Sequence, residues 1–356
     1  MMSESTASRC EPPFLRTGPA AAPMAIWTLG ALTVLAALYA GRYEPRFFLK
    51  YLAGLAVGAG LGIAYTWLRD GSFKLSVFGS MLTAGLLVVS LPPNLPAWPL
   101  FLALVVAIVL VRMSGGDGRL PFNGVLVGRL FLMLAFNAEI VNWPACGPAL
   151  DGLSTATPLD LFHTEKGFHA IGALALGSIG GSWGDLYQLV PGSPGEVCAP
   201  LILLLGALLV WKGVLDWRCG TAFVLSFLVV CGAVNLPVAR ELAAAGQSGS
   251  ALTALGRILL LNLFGGALLF SAVFIAGDPA STPVSKSGRW LAGLIAGVVN
   301  ALVRSYTVYP EGIVFAFLTV NLLSPTLDRL GFAWRGRTLL RQRRRTQARL
   351  SAGRVA

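Results

Sequence analysis

The chain has 356 residues, of which 55% are hydrophobic and 12% are charged, and its mean hydropathy is +0.72. Because soluble domains carry about 25% charged residues, this composition excludes a soluble globular protein and predicts an all-α polytopic membrane protein. We expect the charged residues, whose net charge is +11, to lie in loops and at helix ends. No long polar segment divides the chain, so we expect a single membrane domain over residues 25–327.

Apolar segments long enough to cross a bilayer, which takes about 20 residues, recur along the whole chain. We predict ten transmembrane helices, near residues 25–40, 50–68, 75–91, 97–112, 123–141, 197–212, 220–237, 256–276, 289–307 and 311–327. Segment 168–184 is apolar but rich in glycine and borderline in length, so it is either an eleventh crossing or a re-entrant half-helix.

The distribution of basic residues sets the predicted orientation. Cytoplasmic loops are enriched in Lys and Arg, and the segment Arg329–Arg354 holds nine of the 27 basic residues, so the tail 328–356 is expected in the cytoplasm. Ten crossings place the N-terminal segment 1–24 there as well. Counting 168–184 as a full span would move several basic loops outside, so we take it as re-entrant.

The same topology places the loop 142–167 on the outer face of a bacterial cell membrane. The connection Arg42–Lys50 also lies outside and carries three basic residues, which is the weakest point of this topology. The first predicted helix lacks a small-residue cleavage pattern. We expect it to stay in the membrane as an anchor.

An internal repeat is suggested by two segments with the same order of breaks and crossings. Each has a proline-rich break, a crossing and a glycine-containing turn into the next crossing; the breaks are LPPNLPAWP (91–99) and AGDPASTPVS (276–285), and the turns begin at PFNG (121–124) and YPEG (309–312). The first break would face out and the second in, as in inverted-repeat transport folds, where broken helices line a site for a ligand or ion. The alternative is that Pro and Gly here only end membrane helices.

Cysteines and histidines do not predict a metal site. The five cysteines show no CxxC spacing and are expected to be small buried side chains, with a cluster shared between subunits as the alternative; they are Cys10, Cys146, Cys198, Cys219 and Cys231. His163 and His169 are six residues apart, off the spacing for one helical face, and have no candidate ligand nearby.

Acidic residues are few in the apolar part of the chain, so each one is considered as a candidate functional residue. Glu139 lies near the outer end of a predicted crossing, Asp278 in the inner break, and Glu311 in the outer YPEG turn. Charged groups at membrane depth are costly and tend to lie on ion or proton paths. The three are therefore candidate ion-path residues; the alternative is a position in the headgroup region, where a carboxylate is ordinary.

The basic tail contains Arg341 and the run Arg343, Arg344 and Arg345. Such a cluster can bind nucleic acid or the anionic headgroups of lipids. Directly after a membrane exit, lipid binding is the simpler interpretation. We therefore expect anionic lipids, and no nucleic acid, as partners of the tail.

The decapeptide DGLSTATPLD, residues 151–160, concentrates hydroxyl and carboxylate side chains in one loop of an apolar chain. This loop is the strongest candidate for chemistry. The alternative is a polar loop that caps a following helix, with Ser or Thr at the N-cap.

Several motifs in order identify a family. They are DGS (70–72), LPPNLP (91–96), PFNGVLVGR (121–129), NWP (142–144), DGLSTATPL (151–159), GSIGGSWGD (177–185), GDPASTPVSKSGRW (277–290) and YPEGIVFAFLTVN (309–321). Together they resemble the D subunit of the Rnf electron-transport complex, which is homologous to the B subunit of the sodium-pumping NADH:quinone oxidoreductase. The resemblance covers about residues 50 to 330.

The resemblance implies a ten-helix protein that carries FMN joined through its phosphate to a threonine hydroxyl at the end of an S-G-A-T motif. The acceptor would be Thr157, with Asp151, Ser154 and Ala156 in the motif that a flavin transferase recognises outside the cytoplasm. Thr155 stands where the family usually has glycine. Because a β-branched residue disfavours φ > 0, attachment is expected to be slower, shifted to Thr155, or absent; we favour Thr157.

The implied function is one electron relay within a complex of membrane and peripheral subunits that couples ferredoxin or NADH oxidation to sodium or proton movement. The chain has no GxGxxG or P-loop motif, so nicotinamide and iron–sulfur chemistry is expected on partners, and the chain should not be catalytic alone. A second, noncovalent flavin is left open. The alternatives are a secondary transporter or channel without flavin, and a stand-alone transmembrane flavin conduit.

Overall fold

The structure is a computed structural model of the chain. It describes residues 21–71, 77–115, 121–141, 143–144, 154–155, 193–196, 198–244, 250–278, 281–307 and 312–352. The predicted re-entrant segment 168–184 and most of the predicted outer loop 142–167 lie outside the described residues.

Helices make up almost all of the described chain, which confirms the all-α class. In chain order they are α1 (Ala21–Arg42), α2 (Pro45–Asp70), α3 (Phe78–Val89), α4 (Ala97–Val105, a π-helical segment Val106–Leu110, and Val111–Gly115), α5 (Gly124–Ala135), α6 (Asn137–Val141), α7 (Ala199–Trp211), α8 (Trp217–Ala244), α9 (Ala251–Phe264), α10 (Leu268–Phe270, followed by the π-helical segment Ser271–Ile275), α11 (Lys286–Tyr306) and α12 (Ile313–Ala352). Two short strands, β1 (Trp143–Pro144) and β2 (Ser154–Thr155), pair in antiparallel orientation.

Five described helices are long and apolar enough to cross a membrane, namely those of α1, α2, α4, α8 and α12. The bent pair of α9 and α10 makes a sixth, and α3, α5 and α7 are shorter apolar helices. The protein is therefore a multi-pass membrane protein. The count of ten crossings and the inverted repeat stay predictions.

Three predicted crossings differ from the observed helices. Segment 123–141 is two helices, because Phe136 leaves the helical region (φ −135°, ψ 44°) and its ring packs edge-on against Trp98, with the centroids 4.9 Å apart. Segment 256–276 bends by 57° between α9 and α10, next to Gly266 at φ 72°. The last crossing does not stop at residue 327, because α12 continues to Ala352.

The buried apolar side chains form two clusters. The first comes from α1 to α5 and α7, and the second from α8, α9, α11 and α12. Two elements contribute to both clusters. In α5, Val125 belongs to the first cluster and Leu126 to the second; in α10 and its π-helical segment, Phe270 belongs to the first and Leu268 to the second. These shared elements carry the polar groups described below.

Helices α8 and α11 pack most extensively against each other, and glycines allow this close approach. A Cβ atom at Gly297 would collide with the carbonyl of Phe223 and the hydroxyl of Ser226, and one at Gly293 would collide with the carbonyl of Cys219. Small residues at helix interfaces in membranes let the backbones approach and gain van der Waals contact. The Gly293–Gly297 spacing thus fixes α11 against α8.

We expect Gly297→Leu to destabilise the folded protein by about 1–3 kcal/mol, because overpacking forces the helices apart. Gly30→Leu is the matched control, since Gly30 is exposed and no atom lies within 4 Å of its added Cβ. Thermal unfolding in detergent measures both variants. Equal midpoints for Gly297→Leu and Gly30→Leu would show that this helix contact is not close-packed.

Candidate functional site

Buried polar side chains gather at the segment 278–285, between α10 and α11, which we call the second break. Its first residue, Asp278, is half-buried and follows the π-helical segment that ends at Ile275. The hydroxyl of Ser281 donates a hydrogen bond to the Asp278 carboxylate (3.0 Å), and the hydroxyl of Thr282 donates to the Asp278 carbonyl (2.6 Å). The break therefore folds around Asp278.

Asn123 joins α5 to the second break. It is the N-cap of α5, and its side-chain oxygen accepts from the Val125 N–H (3.0 Å), which satisfies an otherwise unpaired donor of the first turn. Its side-chain nitrogen donates to the Asp278 carboxylate (3.1 Å) and lies 3.2 Å from the Ser281 hydroxyl. A residue 155 positions earlier in the chain thus holds the carboxylate in place.

Asn321 of α12 closes the cluster. In the orientation of its amide that satisfies both ends, the oxygen accepts from the Asn123 N–H (2.8 Å), and the nitrogen donates to the carbonyls of Ser281 (3.0 Å) and Phe317 (3.2 Å). Asn123 and Asn321 are each 4% exposed. The polar cluster, made of Asn123, Asp278, Ser281, Thr282 and Asn321, therefore lies between the two apolar clusters.

The Asp278 carboxylate and the Ser281 hydroxyl are oxygen groups of the kind that hard cations prefer, whereas the amide oxygens of Asn123 and Asn321 accept from backbone N–H groups. The described residues contain no group of three His, Cys, Asp or Glu side chains placed to hold a metal ion.

The far end of the second break is held by Asp328 of α12. Its carboxylate accepts from the backbone N–H groups of Val284 (3.2 Å) and Ser285 (2.9 Å). The Ser285 hydroxyl is the N-cap of α11 and accepts from the Gly288 N–H (3.1 Å). Asp328 thereby satisfies donors that a break would otherwise leave unpaired in an apolar setting.

An ion-paired network links the start of α8 to the second break. Arg289 donates through Nε to the Pro283 carbonyl (2.8 Å) and through Nη1 to the Asp216 carboxylate. Arg218 donates to Asp216 from its side chain (2.8 Å) and from its backbone N–H (2.9 Å). Partial burial alone would raise the pKa of Asp216, but the Arg218 backbone N–H and the two guanidinium charges outweigh it and lower the pKa.

The first break, residues 91–96, has a different chemistry. Here the ammonium of Lys50 on α2 donates to the carbonyls of Pro93 (2.8 Å) and Leu95. At the end of α3, the Val89 carbonyl accepts from the Gly195 N–H (2.9 Å). Carbonyls that a membrane helix exposes where it ends are thus satisfied by a cation and by a neighbouring loop.

A third interruption, between α9 and α10, is capped by Arg304 of α11. Its guanidinium donates to the carbonyls of Asn262 (3.0 Å) and Gly265 (3.4 Å) and lies 5.2 Å from the centre of the Phe227 ring. Arg304 is 2% exposed. The bend is therefore held by a buried guanidinium.

Of the predicted flavin motif, the structure describes Ser154 and Thr155. They form β2, with Thr155 paired to Trp143 and Ser154 to Pro144. Because β1 begins two residues after Val141, the end of α6, this pairing ties the motif to the end of that helix. Asp151, Ala156 and Thr157 lie outside the described residues.

The candidate ion-path residues have different positions. Asp278 lies in the polar cluster, whereas Glu139 is exposed on the short helix α6, and Glu311 lies outside the described residues. Cys198, Cys219 and Cys231 are buried and not disulfide-bonded. His163 and His169 also lie outside the described residues.

Several buried polar residues were not predicted from the sequence. Asn123, Asn321 and Asp328 hold the second break, and Glu196, 7% exposed, accepts from the hydroxyl of Ser193 before α7. Two signals were present in the sequence. An Asn directly before a helical Gly is a typical N-cap, and Asn321 is a polar residue within a predicted crossing.

Comparison with known proteins gives consistent matches. The model of the NQR2, RnfD, RnfE family matches residues 9–332. The D subunit of an ion-translocating oxidoreductase complex from Actinobacillus succinogenes is 28% identical over 357 aligned residues, which cover 89% of this chain and 94% of that protein. The protein of the same name from Pectobacterium carotovorum is 27% identical, covering 83% of this chain and 91% of its own length. That from Yersinia pseudotuberculosis is 29% identical, covering 70% and 74%.

The Asp216 network predicts a pH dependence of stability. Because the pKa of Asp216 is lower in the folded protein, its contribution is complete above the ordinary Asp pKa of about 3.9 and is lost as the pH falls through the lower, folded value. We expect Asp216→Asn to lower the unfolding midpoint at pH 7. Below about pH 4, the midpoint of the variant should fall less steeply with pH than that of the wild type. Thermal unfolding between pH 3 and 7 measures this, with Glu241→Gln, an exposed carboxylate, as control. Parallel curves for Asp216→Asn and wild type would contradict it.

Proposed function

The chain belongs to the NQR2, RnfD, RnfE family, and we propose that it is a membrane subunit of an ion-translocating electron-transport complex that relays electrons through FMN attached to Thr157. The observation that carries this proposal is the family match over residues 9–332, which includes the whole decapeptide 151–160. The relatives reported above are named as D subunits of ion-translocating oxidoreductase complexes.

The position of the motif supports covalent attachment. A flavin that relays electrons must stay at a constant distance from its redox partners. The pairing of β2 with β1 fixes Ser154 and Thr155. The residues of the motif offer hydroxyls, and a hydroxyl can form a phosphoester. When bound, FMN supplies one- and two-electron transfer.

The polar cluster supports an ion path. The side-chain nitrogen of Asn123 and the hydroxyl of Ser281 converge on the Asp278 carboxylate where a membrane helix is interrupted, and irregular backbone at membrane depth is tolerated where it is buried in protein or lines a cavity. We propose that Asp278 receives the translocated sodium ion or proton, and that Asn123 and Ser281 hold its carboxylate. Glu139 and Glu311 remain further candidates for the same path.

The remaining assignments concern partners and orientation. We propose that both termini lie in the cytoplasm of a bacterium, that the motif faces the outer side of the inner membrane, and that a flavin transferase modifies it there. The 40 residues of α12 correspond to about 60 Å, twice the apolar thickness of a bilayer. The basic end of α12 therefore extends beyond the membrane, where it can meet anionic lipids. Nicotinamide and iron–sulfur chemistry would belong to other subunits.

A secondary transporter or channel without flavin is the second candidate. The bend between α9 and α10 and the capped breaks favour it, since broken helices recur in transport folds. A stand-alone flavin conduit is the third. Covalent flavin separates the first candidate from the second, and the neighbouring genes separate a member of a complex from a conduit.

We expect protein produced together with a flavin transferase to fluoresce as a flavoprotein on a denaturing gel, and the peptide containing residues 151–160 to carry an FMN-sized adduct on Thr157. Mass spectrometry of that peptide locates the adduct. Thr157→Ala should abolish the adduct, because no other hydroxyl stands at the acceptor position. The matched variant Thr155→Ala should keep it.

The outcomes separate the candidates. An adduct that stays in Thr157→Ala and disappears in Thr155→Ala would move the acceptor to Thr155. An unmodified peptide, in cells where the same transferase modifies another acceptor protein, would exclude covalent flavin and favour the transporter.

We expect Asp278→Asn to weaken cation uptake in the assembled complex. Loss of a charge-assisted contact costs about 1.5–3 kcal/mol, which raises the half-saturating ion concentration about 10- to 100-fold. Ion uptake into proteoliposomes and electron transfer are measured in the same samples. Glu241→Gln, which changes an exposed carboxylate, is the control. Wild-type uptake by Asp278→Asn would remove Asp278 from the path.

A further inference from the structure

The first break has carbonyl groups that require a donor. Its sequence, LPPNLP over residues 91–96, contains three prolines and no charged residue. The prolines lack N–H groups, and α3 ends at Val89. Several carbonyls therefore lack the intrahelical partner they would have in a continuous helix, and the apolar surroundings make an unpaired carbonyl costly.

Lys50 is the charged group that reaches these carbonyls. It lies in the second turn of α2, more than 40 positions away along the chain, and its ammonium donates to the oxygens of Pro93 (2.8 Å) and Leu95. Pro93 and Leu95 are buried. Glu44, the exposed N-cap of α2, is the carboxylate whose charge acts on Lys50. The ammonium thus lies among backbone carbonyls inside the membrane domain.

This arrangement has the chemistry of a cation site. In membrane proteins, carbonyls of unwound helices coordinate monovalent cations, and rings of carbonyls replace the hydration shell of a permeating ion. Here a covalently tethered ammonium makes the contacts that such an ion would make. A tethered group has a high effective concentration at its site, so it competes with free ions.

The described contacts at the two breaks differ. At the first break, the Lys50 ammonium donates to backbone carbonyls. At the second break, the Asp278 carboxylate accepts from Asn123 and Ser281, and the Arg289 guanidinium donates to a backbone carbonyl.

We propose that Lys50 is the resident cation of the first break: its ammonium fills a carbonyl site that would otherwise take a monovalent cation, and closes this break to mobile ions. Removing the ammonium creates a site of about the volume of the lost side-chain end. A cation can enter that site where the replacement is short, but not where an apolar side chain of the same length fills it.

The test compares two variants at Lys50 in the full chain. Lys50→Ala leaves space at the carbonyls, and Lys50→Met fills the space with an apolar end. Thermal unfolding in detergent is measured in sodium, potassium and choline chloride at a matched ionic strength of about 0.15 M. Lys212→Met is the charge-matched control, because Lys212 is exposed and contacts the rings of Trp27 and Trp211.

We expect both Lys50 variants to unfold at a lower temperature than wild type in choline. The midpoint of Lys50→Ala should rise with the logarithm of the sodium or potassium concentration, as for any ligand that binds the folded state alone. Lys50→Met, Lys212→Met and wild type should show no such specific rise. Equal destabilisation of Lys50→Ala in all three salts, or no destabilisation at all, would overturn the proposal.

A second measurement uses the wild-type protein and does not depend on the folding of a variant. Reductive methylation in detergent, followed by mass spectrometry, reports which amines are accessible. An ammonium held by two buried carbonyls should react much more slowly than that of Lys212. Methylation of Lys50 at the rate of Lys212 would show that the ammonium does not occupy the break, and would overturn the proposal.

Discussion

The constraint on which this structure depends is the need to satisfy every backbone polar group without water. A membrane helix satisfies its own N–H and C=O groups, but each interruption exposes several of them, and each unsatisfied group costs several kcal/mol in the apolar phase (on the order of 2–7). This protein interrupts its membrane helices and supplies polar side chains at the first break, at the second break and at the bend between α9 and α10. Lys50, Arg289 and Arg304 donate to carbonyls, and Asp328 accepts from N–H groups.

These capping contacts also assemble the fold. Each one joins helices that are distant in the chain: Lys50 joins α2 to the first break, and Arg304 joins α11 to the bend between α9 and α10. Asn123 joins the start of α5 to the second break. Because α5 and α10 contribute to both apolar clusters, a polar cluster between them couples the two parts of the membrane domain. A change of charge at Asp278 would therefore be felt by both apolar clusters.

The sequence predicted the helices better than their interruptions. Each of the ten predicted apolar segments contains a helix, because hydropathy averaged over a window records which stretches prefer lipid. The same average cannot place the end of α5 at Phe136, where a ring packs against Trp98, nor the bend near Gly266. Nor does it mark Arg304 as buried, since a single arginine near a helix end usually reaches the headgroups. The position of these residues depends on partners from other helices.

For the candidate sites, too, some features could be predicted from the sequence and others depended on the tertiary structure. The sequence by itself determined the membrane class and, through motifs spread over residues 70–321, the family, because these follow from composition and from residue identity along the chain. Only the tertiary structure decided that Asn123 donates to Asp278 and that Asn321 contacts Asn123. It also decided that Asp328 accepts from the backbone directly before α11, and that Lys50 donates to carbonyls of the first break. Those contacts join residues separated by about 40 to 200 positions. They form because an interrupted membrane helix must find its hydrogen-bond partners inside the protein.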